Sequence, residues 1–197
     1  MPPAEVVVVD DGGGTFDGTA RLENVTFQTV PTRLVRNRWN LGVSNSMNVG
    51  IGSTAYDIMI MACADDLLLP KCVELCWNAW LREKELLGYY YFGLRYSNGE
   101  EQNVACGAAM VTRQLWKYTG GFFNTRGGAD DHVFLSALLG AAQRGVSKAK
   151  IIRVSDEIIY WYRQDSNEAT SHNVWPAIEA IRDLYTSQWI PPGERQA

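Results

Sequence analysis

Blocks of unbroken apolar character alternate with polar, glycine-bearing breaks along this chain. Val6 to Val9 is an all-β-branched run, the pattern of a buried parallel strand. It stops at Asp10-Asp11 and a glycine loop, Gly12-Gly13-Gly14. Arg33 to Val35 predicts a short strand, and Ser44 to Tyr56 a helix weakened by its glycines. Ile58 to Cys63 predicts the next strand, and Asp65-Asp66 follows it at once. Pro70 suits the first turn of an amphipathic helix over Lys71 to Leu87. Tyr89 to Tyr96 reads as a strand closed by a polar turn at Ser97-Asn98-Gly99. Ala105 to Thr112 predicts a strand, Arg113 to Tyr118 a short helix, and Gly120 to Gly128 a loop. A helix over Asp130 to Arg144, strands over Lys150 to Val154 and Glu157 to Arg163, and a helix over Val174 to Trp189 complete the series.

Strands that alternate with helices predict an α/β fold with a mostly parallel sheet flanked by helices. Ligands of such sheets sit beyond the carboxyl ends of strands. Asp10-Asp11 and Asp65-Asp66 both stand at such ends. Two adjacent carboxylates repel each other unless a cation sits beside them, and such a cation commonly carries a phosphorylated substrate. An enzyme is therefore the first expectation.

The bulk numbers narrow the class. With 197 residues, 46% of them hydrophobic, the chain suits one globular domain with a sizeable core. A net charge of −4 argues against a nucleic-acid partner. No apolar run is long enough for a transmembrane segment, and Met1 to Asp11 lacks the basic flank of a signal peptide. Cys63, Cys72, Cys76 and Cys106 fit no paired zinc pattern, and reduced thiols point to a cytoplasmic protein.

Four segments carry a resemblance. VVVVDDGGGTFD (Val6 to Asp17) is followed by NLGVSNSMNVGIGSTAYDIMIMACADDLLLP (Asn40 to Pro70). YTGGFFNTRGGADDHVF (Tyr118 to Phe134) and YWYRQDSNEATSH (Tyr160 to His172) follow in turn. In this order they resemble the family-2 glycosyltransferases, nucleotide-sugar enzymes of the Rossmann-like GT-A fold. The resemblance implies a metal-dependent, inverting transfer of one sugar, from a UDP-sugar donor to a hydroxyl of a sugar, glycan or lipid-linked acceptor. It assigns donor contacts to Asp10, Asp11, Asn40, Asn48 and Asp65. It assigns a Mn²⁺ or Mg²⁺ site to Asp65, Asp66 and His172. It makes Asp131 the general base, with Asp130 beside it as partner or substitute. Gly121, Phe122 and Arg126 fall in its acceptor loop. Residues 1–112 then form the nucleotide-sugar and metal half of a single domain, and 113–197 the acceptor and base half.

Each assignment has a plainer counterpart. Asp10 and Asp11 could close a turn on their own backbone. Asp65, Asp66, Asp130 and Asp131 all precede helical segments and could serve the helix ends. His132, Trp116 and the other tryptophans suit packing or solvent as readily as chemistry.

The sequence also departs from the family pattern. Cys63 stands where the first metal-motif acid is usual, and Asp130-Asp131 replaces a Glu-Asp pair. The family opens with a strand and helix before the Asp-Asp-Gly turn, whereas five residues precede Val6 here. This N-terminally shortened form leads to a specific expectation. Either Val6 to Val9 pairs with Ile58 to Cys63, or a dimer or partner chain fills the gap. Two rivals remain: a nucleotidyltransferase, and a non-catalytic GT-A module that binds or assembles.

Overall fold

The computed structural model describes residues 1–12, 30–103, 108–124, 130–163 and 175–195, with backbone alone at 130, 131 and 175–178. Its strands are β1 (Val6–Asp10), β2 (Thr32–Arg36), β3 (Ile58–Ile60), β4 (Leu67–Leu68), β5 (Gly88–Tyr96), β6 (Glu101–Gln102), β7 (Met110–Thr112) and β8 (Lys150–Tyr162). Its helices are α1 (Val43–Ser53), α2 (Cys72–Glu83), α3 (Arg113–Thr119), α4 (Asp130–Gln143) and α5 (Trp175–Gln188).

Two sheets result. β1 and β2 form a parallel pair in register from Val6–Thr32 to Asp10–Arg36. The other six strands run in the order β3-β7-β5-β8-β4, with the short β6 folded back on β5. The long β5–β8 pairing is parallel, whereas β3–β7, β5–β7, β4–β8 and β5–β6 are antiparallel. The α/β class holds, and the expected mostly parallel sheet is a mixed one.

The expected pairing of Val6 to Val9 with Ile58 to Cys63 is not made. Among the described residues β1 bonds only to β2, and β3 only to β7. β3 instead pairs antiparallel with β7, from Ile58–Thr112 to Ile60–Met110, while α1, which connects β2 to β3, packs on β1 and β2.

The core follows the period-two alternation of β5. Tyr89 and Tyr91 point to one face, with Ile51 of α1, Val111, Leu115 of α3, and Phe134 and Leu138 of α4. Tyr90, Phe92 and Leu94 point to the other, where Cys72, Cys76 and Ala79 of α2 cover them. Cys72 and Cys76 are wholly buried thiols, and hydrogen bonding to Cys72 together with burial pushes the Cys76 thiol up. Gly140 lets α4 and α5 touch, since a Cβ there would lie 2.2 Å from the Thr186 carbonyl.

Several boundaries differ from expectation. Lys84 turns left-handed (φ 49°) and ends α2 at Glu83 rather than Leu87. The two late strands are one strand of 13 residues, β8. Its polar Ser155-Asp156 stretch lies at an irregularity in the pairing with β5, between Tyr91–Arg153 and Gly93–Ile158. β4, only two residues long and exposed, was not expected at all.

Candidate functional site

The carboxylate pair sits in the turn that joins β3 to β4. Cys63 Sγ and one carboxylate oxygen each of Asp65 and Asp66 lie within 4.8 Å of one another. Asp65 is exposed, while Cys63 and Asp66 are half-buried. β8 holds the group in place. The Tyr160 hydroxyl donates to Asp66 Oδ2, and the Arg163 N–H donates to Asp66 Oδ1 at 2.9 Å. The same tyrosine oxygen accepts the Cys63 N–H at 3.4 Å. β4 makes this possible, because its antiparallel pairing with Tyr160 and Trp161 brings Asp66 alongside the end of β8.

The electrostatics of this corner are those of crowded negative charge. Burial, reinforced by the Asp65 charge, pushes the Asp66 carboxyl above its ordinary value, against the hydrogen bonds from Tyr160 and Arg163. Burial and then the Asp66 bond push the Tyr160 hydroxyl far up, so it stays a donor. Tyr162 is raised by burial and by Asp66, Cys63 and Asp65. A positive ion would offset the burial and the repulsion that the ionised Asp66 carboxylate bears. The donor set of two carboxylates and a thiol fits a divalent cation.

The second acidic pair is organised differently. Asp10 accepts the Gly12 N–H at 3.2 Å and pairs with Arg36 at 3.6 Å. Asp11 accepts N–H groups from Asn37 at 2.8 Å, Leu41 at 2.9 Å and Gly42 at 2.9 Å. Burial would raise the Asp11 carboxyl, but hydrogen bonds from Ser46, Leu41, Asn37 and Gly42 together hold it below the usual carboxylate value. Asp11 therefore fixes the chain that enters α1. Asn40 is exposed and bonds the Gly42 N–H at 3.0 Å.

Asn48 of α1 reaches across to the glycine loop. Its Oδ1 accepts from the Phe122 N–H and from the Trp116 indole, each at 2.8 Å, and its Nδ2 donates to the Phe122 carbonyl at 2.9 Å. Gly121 has φ 92°, and a Cβ there would stand 2.8 Å from Asn48 Oδ1. Glycine is thus required at 121 by conformation and by contact. The Phe122 ring is buried against Phe134, with centroids 4.5 Å apart, and its backbone N–H and carbonyl are both engaged by Asn48.

Asp130 and Asp131 open α4, followed by half-buried His132. Asp17, Arg126 and His172 lie outside the described residues. Tyr160 and the Arg163 backbone are site residues that sequence reasoning missed. Tyr160 belongs to an aromatic run in a strand, and nothing in the sequence pairs it with position 66.

Comparison with known proteins bears on the family and the fold. The model of glycosyl transferase family 2 matches residues 1–129. An uncharacterized glycosyltransferase of Haemophilus influenzae is 29% identical over 70 residues, 36% of this chain and 21% of that protein. The fold is similar to that of S. aureus TarS 1-349 in complex with UDP-GlcNAc (TM-score 0.68, 15% identity), covering 91% of this chain and 57% of that one. It is also similar to a mannosyltransferase of Pyrobaculum calidifontis in complex with GDP-Man and Mn²⁺ (TM-score 0.60, 19% identity, 96% and 57% covered). GalNAc-T7 with UDP, GalNAc and Mn²⁺ gives a TM-score of 0.62 at 10% identity, with 83% and 38% covered. The chain thus spans 57% of the first two structures, 38% of the third and 21% of the Haemophilus influenzae protein, and its fold is the GT-A fold. With the family model matching residues 1–129, the chain belongs to glycosyl transferase family 2.

Proposed function

We propose that the chain transfers one sugar from a nucleotide-sugar donor, a UDP-sugar, to an acceptor hydroxyl with inversion at the anomeric carbon. The observation that carries this reading is the Asp65-Asp66 pair, clustered with Cys63 and anchored by Tyr160 at the end of β3. Asp66 is oriented from β8, and Asp65 is left exposed towards solvent. A divalent ion held by these carboxylates, with His172 as a later ligand, would supply positive charge against the leaving diphosphate. Asp10 contacts the base or ribose, because the bonds of Asp11 commit it to shaping the turn. Asn40 adds a donor contact, and Asn48 holds the Phe122 backbone at the start of the acceptor loop, where Gly121, Phe122 and Arg126 are read as acceptor residues.

Asp131 takes the proton of the acceptor hydroxyl, with Asp130 orienting the acceptor. The oxygen bonds to the anomeric carbon as the bond to the diphosphate oxygen breaks, and the nucleoside diphosphate leaves with that electron pair. The acceptor is a sugar, glycan or lipid-linked hydroxyl. Among the described residues no helix is long and apolar enough to cross a membrane.

One observation favours a second reading. β1 and β2 stand apart from the six-stranded sheet, so a module that binds or assembles, completed by another chain, also suits the fold. Asp131→Asn separates the readings. In the enzyme it leaves UDP binding by calorimetry unchanged and slows transfer by at least about a hundredfold, the scale of a lost general base. Transfer within a few-fold of the unaltered protein would remove Asp131 from the base role. Binding of UDP with no transfer to any offered acceptor would favour the module.

A further inference from the structure

We propose that Cys63 is a metal ligand in its own right, and that its thiolate turns the site towards softer divalent ions than an all-oxygen site would take. The inference rests on reading Asp65 and Asp66 as an ion site, and it concerns which ion.

The geometry is nearly assembled. Cys63 Sγ lies within 4.8 Å of a carboxylate oxygen on each aspartate. An ion with sulfur at about 2.3 Å and oxygen at about 2.1 Å holds those donors roughly 3.6 Å apart in a tetrahedral arrangement. Small side-chain rotations close that difference. Cys63 is also reachable, being half-buried, whereas Cys72 and Cys76 are wholly buried against β5.

The support is specific to this thiol. One buried tyrosine hydroxyl holds both the backbone N–H of Cys63 and the Asp66 carboxylate, so β8 tethers the backbone at 63 and the acid at 66 to one point. A ligand carboxylate is commonly fixed by such a hydrogen-bonded neighbour. Two neighbouring carboxylates disfavour the Cys63 thiolate unless a cation intervenes, so an ion at this point would favour the deprotonated thiol.

The consequence is selectivity. Mg²⁺ demands oxygen donors in near-octahedral array and accepts sulfur poorly. Zn²⁺, Co²⁺ and Cd²⁺ bind thiolate readily, and Mn²⁺ lies between. The site should therefore discriminate against Mg²⁺ more strongly than the same site with aspartate at 63.

The full chain tests this with Cd²⁺, Mn²⁺ and Mg²⁺, each alone and with UDP present. Cd²⁺ should raise a thiolate-to-metal charge-transfer band in the ultraviolet and protect Cys63 from iodoacetamide, read by peptide mass spectrometry. Cys63→Ser should abolish the band and weaken Cd²⁺ by at least about tenfold while changing Mg²⁺ by less than about threefold. Cys63→Asp should reverse the preference, and Asp66→Asn should weaken every ion. Should Cys63→Ser fail to fold, the protection arm in the unaltered protein still decides. A band that persists in Cys63→Ser, or alkylation of Cys63 unaffected by Cd²⁺, overturns the assignment. If Mn²⁺ binds, is lost in Asp66→Asn, and Cd²⁺ gives no band, the ion site stands and Cys63 is outside it. If no divalent ion binds, the ion-site reading fails first.

Discussion

The β1–β2 pair and the six-stranded sheet are made of similar residues and are treated differently by the fold. β5 and β8 carry Tyr90, Phe92 and Tyr160 at essentially zero exposure, with helices packed on both faces. β1 is four valines and an aspartate, a composition suited to burial on both faces, yet all five residues are only half-buried. The long strands β5 and β8 bury the residues their pattern marks, and β1 buries its own only by half. The difference lies in pairing, because among the described residues β1 has one hydrogen-bonded neighbour while β5 has several. Apolar sequence records what a strand expects to touch, and here the expectation exceeds what the described residues provide. An apolar strand with an open edge attracts another strand.

The comparison would break most visibly through core truncation. Phe134→Ala removes a ring wedged among Tyr89, Phe122 and Phe123, and should cost about 3–5 kcal/mol. Val8→Ala in half-buried β1 should cost about 1 kcal/mol. Urea denaturation measures both, and similar losses would mean that β1 is as fully packed as the core.

A second test concerns the joint between the regions. Asn48 makes three hydrogen bonds from α1 to the loop and to α3. Asn48→Ala leaves the Phe122 N–H and the Trp116 indole without their acceptor, at roughly 1–3 kcal/mol. Hydrogen exchange should quicken in β1, β2 and α1 and stay unchanged in β5 and β8. Equal quickening everywhere would mean that the two sheets open as one unit.

The smallest effect separates the two acidic pairs by sign. Asp11 has a lowered native pKa, so its contribution to stability is present above its unfolded pKa and is lost as pH falls through the native value. Asp66 has a raised native pKa, so its contribution is present below its unfolded pKa and is lost as pH rises through the native value. In the metal-free protein, carboxyl ¹³C titration should place Asp11 below and Asp66 above an ordinary aspartate. The reverse order would contradict the burial and hydrogen bonding described for each.

Much of this molecule is legible in the sequence where a run is long and uniform. Val6 to Val9, Tyr89 to Tyr96 and the helix from Asp130 all fall where their patterns put them. Legibility fails where a contact with a distant segment decides. Leu67-Leu68 becomes a strand only because β8 lies beside it. Ser155-Asp156 looks like a break between strands because an irregular pairing tolerates polar residues. At the site, position and identity are readable but allegiance is not. Asn48, expected to touch the donor, is engaged by Phe122 and Trp116, and Asp11 by the entry to α1. Both facts depend on segments far away in sequence. The roles of Asp131, Asp65 and Asp66 remain proposals carried by position and by family.

The anchoring of Asp66 to Tyr160 also gives the molecule a ruler. One end of the distance between the two acidic pairs is graduated by β8, which cannot shift without unzipping its pairing with β5. The other end is carried by β1, attached through α1 and a handful of hydrogen bonds. A ligand long enough to touch Asp10 and Asp66 together would rest at one end on the long β5–β8 pairing and at the other on half-buried β1.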